Sequence, residues 1–374
     1  MASGIERAKE ALGGAVPPPW IVRAAFRARA AIGALHARMV PGFSLVLERT
    51  FGMVDTKALY CAVDLRIPDL LARGPLTSTQ IAAASGADPD AVERLLRFLV
   101  MRGFFKHRRG AYANNAATDR LREDHPYSFR DWVLFFGSEW NARIWNEMPS
   151  RVRTGRPAAE TALGMPFFQY LSEENPDAGR AFAGAMASGS RLQGILFGET
   201  IGLEDVRHLC DIGGGSGSVL AHLLALHPQM HGTVLDLPSL EADARVVFED
   251  AGVAERATFV GGDFFDAVPG GCDLYVLFAV VHDWDDERCA LILSNIRRVM
   301  APGGRIMVIE AVIPPHDSEH FLKTTDMLML VLGDGGRERT DSEFAALWTR
   351  AGLRLANRTM LPSTFEVFEL VPAG

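Results

Sequence analysis

The sequence predicts a two-part chain: a mostly α-helical, winged-helix-like region over 20–190, then an α/β domain over 191–374 whose parallel sheet ends in an antiparallel hairpin. Three observations carry this expectation. The 374 residues exceed what one typical core holds, so about two domains are expected. Near Asp205 the apolar pattern changes from helical periodicity to strands alternating with helices. Finally, a glycine cluster, DIGGGSG at Asp211–Gly217, lies between an apolar strand and the helix-like run SVLAHLLALHP.

Residues 1–19 read as a flexible extension. Between Trp20 and Arg49 the chain carries Arg23, Arg27, Arg29 and Arg38 with no acid before Glu48. This superficially resembles a transit peptide, but an ordered or partly ordered arm is expected. Leu76–Gly86 reads as a short helix closed by its glycine. Asp90 is expected to cap the next helix, in which Val92, Leu95, Leu96 and Leu99 share one face. FFKHRRGAYAN then reads as a hairpin, which completes a winged-helix pattern. Its tip, Lys106–Arg109, raises a DNA-binding reading. A net charge of −8 supplies no wider basic footprint, so packing and dimerisation are expected, without nucleic acid.

In the second half the expected strands are VRHLCDI, HGTVLDL, ATFVGG, DLYVLFA and GRIMVIEAV. LRLANRTML and TFEVFELV follow, separated only by Pro362 and Ser363. So short a connection makes them antiparallel, because a parallel crossover needs about a dozen residues or more. No apolar run reaches the ~20 residues that span a bilayer, so no membrane partner is expected. Cys61, Cys210, Cys272 and Cys289 lie far apart without a CxxC pair. That suits reduced thiols in a cytoplasm, with neither disulfides nor a cysteine metal site.

The cluster Gly213, Gly214, Gly215, Ser216, Gly217 gives GxGxG and not GxGxxG, because Ser218 occupies the last place. Glycines allow close backbone approach to a ligand, and the following helix offers free N–H groups. Alone, this is equally a tight strand-to-helix turn. Asp236, with Leu237 beside it, ends the second strand where an acid can accept both ribose hydroxyls. Asp263 and Phe264 end the third and suit the amino group and face of an adenine. Asp211 stands directly before the glycines. Three acids fit a cationic sulfonium amino acid better than a doubly anionic pyrophosphate. The missing GxGxxG and the extra Asp263 count against an NAD-dependent oxidoreductase, which shares the acid at Asp236, and the net acidity counts against a ligand-responsive winged-helix regulator.

DIGGGSG, TVLDLP, GDFF, VVHDWDD, APGGRIMVIEAVIP and GGRERT occur here in one order. In that order they resemble the S-adenosylmethionine-dependent small-molecule O-methyltransferases of plant phenolic and bacterial polyketide metabolism. The resemblance is close over the C-terminal half and looser before it. It implies a Rossmann-like methyltransferase domain, a helical dimerisation domain and an intertwined homodimer.

His282 in VVHDWDD follows the fourth strand and so lies at the carboxyl edge of the sheet. Transfer to oxygen is an in-line displacement, and a histidine with a free pKa of about 6.5 can take the hydroxyl proton near neutral pH. The resemblance makes His282 the base, with Glu310 and Glu338 in support. A carboxylate on one ring nitrogen fixes the tautomer and leaves the other as acceptor. The bland alternatives are a structural histidine, a strand-end surface acid at 310 and an ion pair of Glu338 with Arg337 or Arg339. Many relatives carry a basic residue four positions before the histidine, against the cofactor. Here it is Phe278, whose ring can stack in its place.

The run Asp283, Asp285, Asp286, Glu287 invites a magnesium reading. At helical spacing these acids diverge, so a solvated helix N-terminus and no metal are expected. For the acceptor, Trp132, Phe136, Phe167, Met327 and Asp283 are the expected lining, around an aromatic hydroxyl of a secondary metabolite. Methylation of carbon, or non-methylating chemistry on the same scaffold, is the alternative within the fold.

Overall fold

The computed structural model describes residues 16–316, 320–333 and 335–374; the extension read at 1–19 lies mostly outside the described residues. Two compact units are present. One comprises 36–146 with 173–188, and the other comprises the described residues up to Leu35 with 147–172 and 189–374.

In the first unit, helix Ser78–Ser85 opens on a reciprocal cap between Thr77 and Gln80 and closes on Gly86 in the left-handed region. The next helix, Pro89–Met101, is capped by Asp88, whose carboxylate accepts from the Ala91 N–H at 2.9 Å. The cap expected at Asp90 therefore moves two residues earlier, since Pro89 occupies the first helical position, where its missing N–H costs nothing. Val92, Leu96 and Leu99 are fully buried as the spacing predicts. The hairpin forms from β1 (Lys106–Arg108) and β2 (Ala111–Ala113), joined by Arg109 and Gly110 at positive φ.

The second unit is built on seven strands: β3 (His208–Ile212), β4 (His231–Asp236), β5 (Ala257–Gly261), β6 (Leu274–Phe278), β7 (Arg305–Ala311), β8 (Leu353–Met360) and β9 (Phe365–Pro372). Their spatial order is β5-β4-β3-β6-β7-β9-β8, parallel up to β7. The expected C-terminal hairpin is present, with β9 inserted antiparallel between β7 and β8. Both faces of the sheet are covered. Cys210, Ile212, Tyr275 and Leu277 pack on one side with Ile292, Leu293 and Trp348; Leu209, Val234, Val276 and Ile309 pack on the other with Val219, Leu220 and Leu223. After β5 the chain returns to the far side of β3, so strand order reverses there. Crevices beyond the carboxyl ends at such a reversal are where open α/β sheets bind ligands.

Candidate active site

The glycine loop follows β3 at that reversal. Gly214 is required by space: a Cβ there would sit 2.5 Å from the Asp211 carboxylate. Gly217 is required by conformation as well, with φ at +74° and the Phe248 ring 2.6 Å from a would-be Cβ. The loop carries its own acids. Asp211 is 1% exposed, and neither carboxylate oxygen has a hydrogen-bond partner among the described residues. Burial, with Asp236 nearby, pushes Asp211 up to about 7. Asp236 accepts from the N–H groups of Gly215 and Leu237, both at 2.7 Å. Burial raises its pKa, and these two N–H groups oppose that rise. Leu237 is nearly half exposed beside it. Asp263 accepts from the Phe265 N–H at 2.8 Å, and the Phe264 ring edge approaches the position of a Gly213 Cβ. Buried carboxyls that repel one another, one of them unpartnered, are stabilised by a cation and destabilised by a pyrophosphate.

The second cluster lies beyond β6 and β7. His282 is in the turn Val281–Asp283, and Glu310, 1% exposed, is near the end of β7. His282 Nδ1 and Glu310 Oε2 are 2.8 Å apart, and the other carboxylate oxygen accepts the His282 backbone N–H at 3.2 Å. The bidentate hold fixes both ring and turn, and it replaces the surface-acid alternative for Glu310. Nε2 faces Asp283 Oδ1 at 3.6 Å. Glu338, also buried, accepts from the Thr325 hydroxyl at 2.7 Å, and its N–H donates to Asp326 at 2.9 Å. Burial alone pulls the imidazole pKa down, but Glu310, Asp283 and Glu338 outweigh it and push His282 up to about 10. Burial pushes Asp283 and Glu338 each up to about 6, against the pull of the histidine. His282, Glu310 and Glu338 also offer one ligand atom each within 4.8 Å of one another, a spacing that would suit a divalent ion. The 2.8 Å hydrogen bond equally suits an oriented base.

The ion-pair alternative for Glu338 does not form: Arg337 pairs with Glu343 and Arg339 with Asp286. The acid run beside His282 is only partly the solvated helix start expected. Asp285 caps helix Asp286–Val299, accepting from the Arg288 N–H at 2.8 Å, while Asp286 neutralises a buried arginine and Asp283 faces the histidine.

The aromatic residues divide. Phe278 is buried edge-on to Phe197, with centroids 5.0 Å apart, in the core beneath the sheet. Trp132 and Phe136 belong to the first unit, where they stack on each other at 5.5 Å. Phe167 is buried against Phe168, and Met327 is half-buried on helix Phe321–Leu332. Phe168, beside the expected lining residue Phe167, stacks on Trp284 at 6.2 Å, and Trp284 in turn meets Phe265 and Phe264 edge-on. An aromatic wall thus runs from the third strand end to the turn that carries His282. The tryptophan of HDW was the available signal for it.

Residues 145–354 match the O-methyltransferase domain, and residues 47–124 match the O-methyltransferase dimerisation domain. The chain belongs to the O-methyltransferase family. It is 36% identical over 306 residues to the mitomycin biosynthesis 6-O-methyltransferase of Streptomyces lavendulae, covering 81% of this chain and 87% of that one. It is 34% identical to the phenazine-1-carboxylate N-methyltransferase of Pseudomonas aeruginosa, covering 85% and 93%. It also matches the crystal structure of an O-methyltransferase from neocarzinostatin biosynthesis, in complex with S-adenosylmethionine and 2-hydroxy-5-methyl naphthoic acid, with a TM-score of 0.71, 34% identity and coverage of 85% and 96%. This enzyme is a Rossmann-like, S-adenosylmethionine-dependent O-methyltransferase. The DNA-reader alternative for the hairpin gives way to a dimerisation domain, since the matched range contains it. No described helix is long and apolar enough to cross a membrane.

Proposed function

We propose that this O-methyltransferase methylates a hydroxyl of an aromatic secondary metabolite, with His282 taking the hydroxyl proton. The reading rests above all on the 2.8 Å contact between His282 Nδ1 and Glu310, which leaves Nε2, 3.6 Å from Asp283 Oδ1, as the proton acceptor. Glu310 orients the ring and stabilises the imidazolium. Glu338 adds a second negative charge from a separate loop. Asp283, with Phe167, Phe168 and Met327, lines the acceptor site.

Asp211 is poised to meet the ammonium of S-adenosylmethionine, Asp236 its ribose hydroxyls and Asp263 its adenine amino group. Leu237 and Phe264 flank the base, and the backbone of Gly213–Gly215 gives the close approach. When bound, the cofactor supplies a methyl group on a positively charged sulfur. Asp211 favours this reading, because its orphaned carboxylate needs a cationic partner.

A homodimer is supported by the matched dimerisation domain and by Phe43, Val46 and Leu47 on helix Gly42–Thr50 with Phe51 just beyond its end, large apolar side chains each more than half exposed. The four free cysteines suit a cytoplasmic site of action. The N-methyltransferase relative supports a second reading, transfer to a ring nitrogen. A nitrogen lone pair carries no proton to remove and would leave the His282–Glu310 pair without a task.

The deciding experiment is calorimetric titration with S-adenosylmethionine, its demethylated product and NAD, then a screen of aromatic hydroxyl and aza-aromatic acceptors with the methyl position located by NMR. Binding of the first two and not NAD, with methyl found on oxygen, is expected. Methyl only on nitrogen or carbon overturns the acceptor assignment.

A further inference from the structure

Arg339 has no exposed surface at all. A guanidinium out of water is costly unless its donors are met, and here they are met by backbone on both sides of the catalytic cluster. Nη1 donates to Val281 O and Nη2 to Trp284 O, each at 2.8 Å, so the turn bearing His282 and Asp283 is held at both ends. Nη1 also reaches Arg337 O, at 3.4 Å, on the residue before Glu338. Nε and Nη2 contact Asp286 Oδ1 at 2.9 and 2.8 Å, which supplies the countercharge.

The backbone of the same residue joins the third segment. Arg339 O accepts from Ile313 N at 2.9 Å, beside a parallel bridge to Val312, just beyond Glu310. The loops are pressed together alongside: Arg337 N donates to His282 O at 2.7 Å, and a Cβ on Gly336 would sit 2.7 Å from that oxygen. A fixed planar fork with five donors suits this arrangement, and an ammonium does not.

We propose that Arg339 is a positioning residue that assembles the proton-accepting cluster, holding the segments of His282, Glu310 and Glu338 in register. This rests on the base reading above. If the clamp loosens, Glu310 and Glu338 withdraw from the imidazole while Asp283, on the same turn, stays. The histidine then gives up its proton more readily. Arg339→Lys keeps the charge but cannot span both loops. Asp286→Asn removes only the countercharge, at a partly exposed position. Gly336→Ala wedges the loops apart without touching the arginine.

The test combines the His282 imidazole titration, followed by NMR in the ligand-free dimer, with single-turnover rates against pH, cofactor affinity and melting temperature. Arg339→Lys should lower the imidazole pKa and move the rising limb of the rate to lower pH. It should also slow transfer by about 10- to 100-fold, as misplacement of a reacting group does, with cofactor affinity within about twofold of wild type. Gly336→Ala should do the same and Asp286→Asn less; these two carry the test if the lysine variant does not fold. Variants that melt earlier yet keep the wild-type imidazole pKa and rate overturn the proposal, because Arg339 is then only a structural bolt. A moved imidazole pKa with an unchanged rate sustains the clamp and counts against His282 as the base.

Discussion

At the end of the sheet edge proposed to hold the cofactor, the groups are neighbours. Asp211 and its glycines are one continuous stretch, and Asp236 hydrogen-bonds the Gly215 N–H from the adjacent strand. At the end proposed for the acceptor, His282, Glu310 and Glu338 come from three separate segments, and what joins them is a buried arginine and a glycine with no room for a side chain. The first end is a product of strand register, which a sheet supplies wherever it forms. The second depends on contacts that no secondary structure dictates. Binding and proton transfer should therefore fail separately.

The largest effect expected from that separation is at the histidine. His282→Ala should lower turnover by about 10² to 10⁴, the usual contribution of a positioned base, with cofactor affinity measured by calorimetry nearly unchanged. Glu310→Gln should lose less, since an amide still holds the ring but does not stabilise its charge. A histidine variant that also loses the cofactor would merge the two ends into one device.

Next comes the converse. Asp236→Ala should weaken S-adenosylmethionine binding by about 1.5 to 3 kcal/mol, as for a hydrogen bond to a charged group. At saturating cofactor the pH–rate limb should stay in place. A displaced limb would mean that Asp236 also tunes the histidine.

A smaller effect sharpens the cofactor end. Burial holds Asp211 near 7, so below that pH the ligand-free carboxyl is protonated and must ionise to meet a cation. Wild-type affinity should fall by about tenfold for each pH unit below 7, and Asp211→Asn should bind more weakly but without that acid limb. A wild-type affinity flat from pH 5 to 7 would remove the ammonium contact from the account.

The smallest expected effect is none. Chelation with EDTA should leave the rate unchanged, although His282, Glu310 and Glu338 have the spacing to hold an ion. Loss of activity restored by zinc or magnesium would make the cluster a metal site rather than a base.

How much could be read beforehand follows the same division. Asp211–Gly217 was legible because its demands are local: a Cβ at Gly214 meets Asp211, and Gly217 has positive φ. The C-terminal hairpin was legible from a two-residue connection, but its insertion with β9 beside β7 was not. The motif order brought His282, Glu310 and Glu338 to attention. The task of Arg339 was hidden, since its partners Val281 and Trp284 lie 58 and 55 residues away. Phe278 illustrates the opposite difficulty. Its position marked it for the cofactor, yet alternation along a strand covered on both faces turns its ring toward Phe197. Asp286 looked like one acid among four until its buried partner was placed.

Removal of the acceptor proton by a carboxylate-held histidine is tested most directly by the single-turnover rate of wild type and His282→Ala against pH, with one aromatic hydroxyl in excess. Glu310, Asp283 and Glu338 raise the imidazole pKa toward about 10 in the ligand-free enzyme. The neutral ring is the active form, so the wild-type rate should rise with pH along a limb between the free value of about 6.5 and that raised one, then level off. The alanine variant should lack this limb and regain rate only as the acceptor ionises unaided. Two coincident profiles, with most of the rate retained at neutral pH, would contradict the account and leave methyl transfer here to proximity alone.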